Sequence, residues 1–439
     1  MRKVATLAAP IVGSNLLMWL SAFAGMYMLS RLGAETLAGL GMANQIVMMV
    51  VILVLGVTTG TMALVARARG AGDAAAASHI LRQSLLLALV QSTVIGLAGI
   101  ALAPWLMRAL GAEGAAAEAG TLYLRILLVG LLATTIDFTL ASTLRGVGDS
   151  MTPLRINIAI MVLNVAASAL LIFGPGPFPA LGIAGAAAGN IGARAVGVVW
   201  LWARLRGGRS GFQWQPGSWA PDLGVVKRIL NIGVPSAVEA FVRSGSSIAL
   251  MAVVARTGPG TAAVAAHTVG LQMEMFSRMP SIGIGTAATA LVGQRMGAAD
   301  PKSAERMGWL ASAMGVALLS VLGLAMLLLA GPLSRMFSDD PATAGLTADY
   351  MRTLALAQPL YGLGMVVAGA LRGGGDTRFP MWSAVVGGWL FMIPAAWLLG
   401  VHLGWGPRAV WLVQAVNYAV FAGLLTWRFR AGRWKDIRV

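Results

Sequence analysis

Charged residues inside apolar stretches of the chain are spaced in a way that suggests proton chemistry. Glu239 and Arg243 are four residues apart, as are Glu274 and Arg278. In a helix this spacing brings the two side chains of each pair together on one face. Each pair either neutralises itself so that both groups can enter an apolar environment, or forms a proton-exchange site, because a carboxylate whose arginine partner is displaced can take up a proton. A cationic ligand would compete with the proton for that carboxylate.

Glu274 is the first candidate for such a site. It lies near the middle of its apolar stretch among Met273, Met275 and Met279, and methionine suits a surface that accepts many shapes. Pro280 follows within two turns, where it removes a backbone hydrogen bond and predicts a kink. We therefore expect protonation of Glu274 to be coupled to bending of this segment.

Asp137 is the second candidate and Glu239 the third. An ionised group at the centre of a membrane is costly unless it is paired or hydrated. Two interpretations of Asp137 stay open: it is a proton site in the N-terminal half, or it is the partner of Arg194, the third arginine inside an apolar stretch.

The composition places these residues in a membrane protein and excludes most other classes. The 439-residue chain is 58% hydrophobic and only 11% charged, whereas soluble domains carry roughly a quarter charged residues. It has no cysteine and three scattered histidines, so it offers neither cysteine ligands nor a nucleophile–base set. We predict no enzyme, no cofactor, no metal site and no nucleic-acid partner.

The apolar stretches recur along the chain, each long enough to cross a bilayer as a helix of roughly 20 residues. We predict six spans in each half of the chain. They cover residues 5–30, 37–66, 80–107, 121–144, 154–173 and 182–204, then 226–255, 262–294, 307–331, 347–371, 381–400 and 409–428.

An internal repeat relates the two halves at an offset of 225 to 227 residues, most clearly where the segment Leu144–Asp149 matches the segment Leu371–Asp376. The even number of spans gives both copies the same orientation. The predicted fold is an all-α integral membrane protein of 12 transmembrane helices in two six-helix bundles, related by a pseudo-two-fold axis along the membrane normal. The three deep acids do not recur: Glu239, Glu274 and Asp137 correspond to Ser14, Met49 and Gly364. These three acids are therefore more specialised than the residues that both halves of the repeat share.

The arginines and lysines fix the orientation. Alternate loops and span ends on one side hold 22 of them and those on the other side hold seven. The positive-inside rule puts both termini in the cytoplasm. We divide the chain into an N-terminal bundle at 1–206, a cytoplasmic linker at 207–224 and a C-terminal bundle at 225–439.

The repeated motifs resemble those of multidrug and toxic compound extrusion (MATE) transporters of the bacterial type, within the multidrug/oligosaccharidyl-lipid/polysaccharide exporter superfamily. The motifs are Leu-Arg-Gly-x-Gly-Asp after the fourth and tenth spans and Ala-Leu-Val-x-x-x-x-Gly-Ala-x-Asp after the second and eighth. The run from Ala265 to Pro280 is similar to the eighth span of the family, and the resemblance covers nearly the whole chain.

The resemblance implies a V-shaped pair of bundles that exports organic, mainly cationic and amphipathic compounds in exchange for H⁺ or Na⁺ by alternating access. It also implies a central cavity, to which we assign Asn164, Trp19 and Met49 together with the three methionines around Glu274. One departure matters: Gly25 and Ser168 stand where the family often carries its coupling carboxylates. The family's usual coupling carboxylates are therefore absent from these two positions of the chain.

Two alternatives remain. A flippase for a lipid-linked oligosaccharide or another anionic lipid is favoured by the three deep arginines and opposed by the span count. A membrane-embedded enzyme is the less favoured alternative. We expect a monomer in a bacterial inner membrane, with H⁺ preferred over Na⁺ because few Na⁺ ligands lie near any deep acid.

Overall fold

The computed structural model describes residues 2–30, 34–174, 180–208 and 211–437, without the side chains of residues 2, 19, 22–24, 26, 27, 30 and 34–36. The described chain is helical almost throughout and contains no strand. The helices are α1 (Arg2–Ser30), α2 (Ala34–Gly70), α3 (Ala74–Ala109), α4 (Gly114–Val129), α5 (Leu131–Val147), α6 (Met151–Phe173), α7 (Ile183–Arg206), α8 (Leu223–Val254), α9 (Thr261–Gly297), α10 (Pro301–Phe337), α11 (Pro341–Ala355), α12 (Gln358–Gly373), α13 (Arg378–Ala384), π1 (Val385–Met392), α14 (Ile393–Trp397), π2 (Leu398–His402) and α15 (Pro407–Arg430).

Most of these helices are long and apolar enough to cross a membrane. Eight qualify as they stand, counting α13 to π2 as one continuous segment, and two bent pairs raise the number to ten. The long helices α1 and α9 complete two sets of six spans in the described part of the chain. The predicted fold class is confirmed, and the observed helices run up to seven residues beyond the predicted spans at their ends.

The fourth and tenth spans differ from the prediction because each is broken. Helices α4 and α5 meet at an angle of 49°, and α11 and α12 meet at 52°. At the first break, a Cβ on Gly130 would collide with the side chain of Ile191, so glycine is required for this close approach. At the second, Pro359 lies in the first turn of α12, where it cannot donate the hydrogen bond that would continue α11.

Equivalent aspartates cap equivalent helices in the two halves. Asp73 accepts a hydrogen bond from the backbone N–H of Ala76 at the start of α3, at 2.8 Å, and Asp300 accepts one from Ser303 at the start of α10, at 3.0 Å. Side-chain caps of this kind satisfy backbone donors that have no partner within the helix. The duplicated loop aspartates therefore serve the scaffold.

The chain divides into two compact units. The first contains residues 1–12 and 235–439, and the second contains residues 13–234. The boundaries fall inside α1 and α8, so each of these helices contributes turns to both units. In the first unit Val4 and Ile11 of α1 pack in one buried core with Ile284 of α9 and Val366 of α12.

Residues of the predicted linker are held by α3 within the second unit. Arg82 donates hydrogen bonds to the carbonyl oxygens of Gln215 at 2.6 Å and Ser218 at 3.1 Å. His79 Nε2 lies 2.9 Å from Asp222, and this hydrogen bond lowers the pKa of the Asp222 carboxyl below its ordinary value. The segment is therefore tied to α3 between Gln215 and Asp222.

Candidate functional site

Glu274 lies on α9 with its side chain fully buried, and four side chains donate to it. Arg278, one turn further along the helix, is 2.8 Å from Oε2. Tyr350 donates to Oε2 at 2.9 Å, Tyr418 donates to Oε1 at 2.8 Å, and the Gln358 amide is 3.4 Å from Oε1. Both carboxylate oxygens are thus occupied.

The donors to Glu274 are themselves held in place. The Gln358 side chain accepts a hydrogen bond from Ser277 at 2.9 Å. Arg278 also donates to the Tyr418 hydroxyl, and its guanidinium lies 5.1 Å from the centre of the Tyr361 ring. Cation–π contacts of this kind stabilise a guanidinium away from water. The result is a network that joins α9, α11, α12 and α15.

His267 lies beside this network on the same helix. Its Nδ1 accepts a hydrogen bond from the indole N–H of Trp411 at 3.2 Å, which assigns the ring proton to Nε2 in the neutral form. The ring packs edge-on against Tyr350 at 5.3 Å between centroids. His267 is therefore held by contacts with both Trp411 and Tyr350.

Glu239 on α8 is fully buried between two arginines. Arg372, at the end of α12, lies 2.7 Å from each carboxylate oxygen. Arg243, one turn along α8, lies 3.1 Å from Oε1. The pair predicted from the spacing is present, and Arg372 is a partner that the spacing does not reveal. It adds a second positive charge to a single carboxylate.

Asp137 on α5 accepts fewer hydrogen bonds than either glutamate, although the positive charge of the buried Arg145 also acts on it. Its Oδ2 lies 3.2 Å from Arg194 of α7, and its buried Oδ1 has no hydrogen-bond partner among the described residues. Arg194 also donates to the side-chain oxygen of Asn190 at 3.3 Å, and its guanidinium lies 5.4 Å from the Phe138 ring. The arginine is thus anchored by more than the carboxylate.

A cavity of about 70 Å³ opens within the first unit beside the two glutamate networks. Its walls come from α8, α9, α12, α13, π1 and α15. They comprise Arg243, Ser246, Ser247, Leu250, Arg278, Tyr361, Met365, Ser383, Ala384, Gly388, Met392, Gln414, Asn417, Tyr418 and Phe421. The arginines of both ion pairs line this cavity and their glutamates do not. The Arg243 and Arg278 side chains are 37% and 25% exposed, whereas both glutamates are completely buried.

The residues that were assigned to a cavity from the sequence lie in varied environments. Asn164 is buried and donates to Ser21 at 2.9 Å, while its amide oxygen accepts from Ser168 at 3.2 Å. Met49 on α2 is exposed. The side chain of Trp19 lies outside the described part of the structure.

The methionines around Glu274 point in several directions. Met273 packs against a buried core and Met275 is exposed. Met279 is half-buried, and none of the three lines the cavity described above. Pro280 is buried within α9, which continues on both sides of it.

Comparison with known proteins gives one consistent result. The family model MatE matches residues 10–170 and 235–398, which correspond to the two halves of the repeat. A probable multidrug resistance protein NorM from Bradyrhizobium diazoefficiens is 31% identical over 92% of this chain and 87% of its own length. A protein of the same name from Thermotoga maritima is 28% identical over 99% of this chain and 93% of its own length.

The fold is also similar to solved structures. One, described as the outward-facing conformation of a multidrug resistance MATE family transporter of the MOP superfamily, superposes with a TM-score of 0.90. It shares 24% sequence identity and covers 98% of this chain and 96% of its own.

Proposed function

Since the chain belongs to the MatE family of transporters, we propose that it exports organic compounds in exchange for protons, with Asp137 as the carboxylate that takes up the coupling proton. The resemblance read from the duplicated motifs is confirmed by the family match. The protein is a multi-pass membrane transporter of the multidrug efflux type and not an enzyme. Its substrates are small molecules.

The choice of Asp137 rests on how many hydrogen-bond donors each deep carboxylate has. A hydrogen bond to the charged form favours that form. Glu274 has four donors, and Glu239 has two guanidinium groups. Asp137 has one donor at 3.2 Å, and its other oxygen has no partner in the described structure. Protonation of Asp137 therefore breaks fewer hydrogen bonds and ion pairs than protonation of either glutamate would.

This order differs from the one expected from the sequence, where Glu274 comes first. Its donors Tyr350, Gln358 and Tyr418 are on other helices, so the sequence does not reveal how completely it is satisfied. We assign Glu274 and Glu239 the role of positioning the arginines that line the cavity.

Protonation of Asp137 would remove the ion pair that links α5 to α7. Arg194 would keep its contacts with Asn190 and Phe138 and remain in place. A link that forms only in the deprotonated state can bias two conformations of the bundle, and a ligand shifts such an equilibrium by its differential affinity for the two states. If the substrate prefers the deprotonated conformation, proton and substrate exclude one another, which is the requirement for antiport with alternating access.

H⁺ suits this site better than Na⁺. A sodium ion is bound by several oxygen ligands, and no group of three acidic, histidine or cysteine side chains surrounds Asp137 among the described residues. The guanidinium of Arg194, 3.2 Å from Oδ2, would repel a second cation. A proton needs only the one oxygen.

A second candidate function is a flippase for an anionic lipid. It is favoured by one observation: the cavity of the first unit is lined by Arg243 and Arg278, while the glutamates lie behind them. The expectation of mainly cationic substrates rests on the family resemblance. For either function we propose a monomer in the bacterial inner membrane with both termini in the cytoplasm.

Transport into proteoliposomes under imposed gradients tests the proposal. The probes are tetramethylrhodamine, which carries a free carboxylate, and its methyl ester, which does not. We expect a pH gradient to drive at least one dye and a Na⁺ gradient to drive neither. If the Na⁺ gradient alone drives transport, the coupling ion is wrong. If neither dye moves against a gradient while phosphatidylglycerol crosses the bilayer, the flippase replaces the exporter.

A further inference from the structure

We propose that the cavity of the first unit binds an anionic group of the substrate through Arg243 and Arg278, with an adjacent N–H or O–H of the same ligand donated to Gln414 and Asn417. The site would take a carboxylate, sulfonate or phosphate attached to an apolar body. This inference rests on the proposed function, because it names the chemistry of what is transported.

The orientation of the ion pairs is the first argument. Glu239 and Glu274 have no exposed side-chain surface, whereas Arg243 and Arg278 are 37% and 25% exposed and line the cavity. A ligand in the cavity therefore meets guanidinium groups first. A cation placed there would meet the positive charges and be separated from both carboxylates.

The charge balance is the second argument. Glu239 carries one negative charge and contacts both Arg243 and Arg372, while Glu274 is balanced by Arg278. This leaves one positive charge in excess over the five groups. In a medium of low dielectric constant such an excess attracts an anion strongly.

The guanidinium of Arg243 has further N–H groups that can bind a ligand. Its Nη1 contacts Glu239 Oε1 at 3.1 Å and the sulfur of Met365 at 3.2 Å. A guanidinium carries five N–H groups in a planar fork, and this fork matches the geometry of a carboxylate or phosphate. Because Arg372 holds both oxygens of Glu239, Arg243 can turn to a ligand without leaving that carboxylate unpaired.

Unsatisfied acceptors on α15, which contributes to the wall of the cavity, are the third argument. The side-chain oxygens of Gln414 and Asn417 are buried and have no hydrogen-bond partner among the described residues. Their amide nitrogens are used, by Tyr418 at 2.9 Å and by the sulfur of Met392 at 3.5 Å. Buried polar atoms are seldom left unpaired. A ligand donor next to the anionic group would satisfy them.

The shape of the cavity limits what enters it. Drug-sized ligands occupy pockets of roughly 300 to 1,000 Å³, and this cavity of about 70 Å³ admits only a small head group. The wide turns of π1 form part of its wall, and Gly388 keeps that wall open because a Cβ there would approach the Ser246 hydroxyl to 3.0 Å. Wide turns of this kind occur often at functional sites.

Equilibrium binding to the purified full-length transporter tests the inference without any gradient. The probes are again tetramethylrhodamine and its methyl ester, which differ only at the carboxyl group. We expect the free acid to bind at least about tenfold more tightly, the factor contributed by one charge-assisted hydrogen bond. Arg243→Gln should reduce this difference by weakening the acid alone, while Arg278 retains part of it.

Two further variants separate the effect of the positive charge on binding from an effect on the fold. Arg243→Lys keeps the charge without the planar fork and should retain part of the preference for the acid. Arg408→Gln removes an exposed arginine that pairs with Asp349 and should change neither affinity. Equal binding of acid and ester to the wild type would overturn the inference. So would an acid preference that Arg243→Gln leaves undiminished.

A further binding experiment in lipid nanodiscs identifies the source of the anionic group. Binding of the acid is measured in nanodiscs of phosphatidylcholine with and without phosphatidylglycerol. Competition by phosphatidylglycerol would support a lipid phosphate as the occupant, and its absence would support a soluble anion; both outcomes retain the site. Because these measurements use no pH gradient, failure of proton-driven transport leaves their result unaffected and points to the coupling proposal instead.

Discussion

Glu239 is shared unequally by its two arginines. Arg372 approaches both carboxylate oxygens at 2.7 Å, and Arg243 approaches one at 3.1 Å. The Arg372 side chain is also less exposed, at 16% against 37%. Removing one partner of a buried ion pair is strongly destabilising when it leaves the other charge uncompensated.

We therefore predict that Arg372→Gln destabilises the protein more than Arg243→Gln does. The first variant should lose up to about 3 kcal/mol, the cost of a broken buried pair, because Glu239 then keeps only the more distant Arg243. The second should lose less, because Glu239 keeps its stronger partner. Thermal unfolding of the purified variants in the same detergent measures the order. Equal midpoints, or a lower midpoint for Arg243→Gln, would contradict this description of the pair.

The sequence predicts side-chain contacts within one helix, but it predicts few side-chain contacts between helices. The pairs Glu239–Arg243 and Glu274–Arg278 follow from a spacing of four residues. Arg372 lies 133 residues from Glu239, and only folding brings them together. The tyrosines of the Glu274 network are similarly remote, so their role could not be anticipated.

Two helices of the first unit are in contact through glycines. A Cβ on Gly369 of α12 would collide with the carbonyl oxygen of Gly285 on α9, and Thr289 donates its hydroxyl to the Gly369 carbonyl at 2.8 Å. Small residues allow helices in a membrane to approach closely. Gly146 and Gly373 of the duplicated motif have matching roles, since a Cβ on either would crowd the backbone of an equivalent helix in its own unit.

Gly369→Ala is predicted to lower the unfolding midpoint, because the added methyl group forces α9 and α12 apart. The matched control is Gly423→Ala on α15, where a Cβ would meet nothing within 4 Å. In a helix, alanine is more favourable than glycine by about 1 kcal/mol, so the control should be neutral or slightly stabilising. A midpoint for Gly369→Ala equal to that of the control would show that the contact is dispensable.

Helix positions could be predicted from hydropathy, and the break at Gly130 could not. Apolar stretches and capping aspartates mark where the spans begin and end, because both are local properties. The break at Gly130 depends on what packs beside it, as the contact with Ile191 illustrates, whereas the break before Pro359 has a local cause in the proline itself. The wide turns of π1 and π2 carry no distinctive sequence pattern either.

The orientation of the whole molecule can be tested by labelling, because the chain contains no cysteine. Single cysteines at Gly207, after α7, and at Asp339, between α10 and α11, are predicted to lie on opposite sides of the membrane. A membrane-impermeant maleimide should label Asp339→Cys in intact cells and Gly207→Cys only after lysis. Labelling of Gly207→Cys in intact cells would invert the proposed topology.

If Asp137 carries the coupling proton, its replacement should abolish driven transport without abolishing exchange. Proteoliposomes containing the wild type, Asp137→Asn, or the exposed control Glu113→Gln are loaded with whichever rhodamine dye the wild type transports. Accumulation under a pH gradient and dye exchange without a gradient are then measured. We predict that Asp137→Asn loses accumulation and keeps exchange, while Glu113→Gln keeps both. Undiminished accumulation by Asp137→Asn would show that Asp137 does not carry the coupling proton.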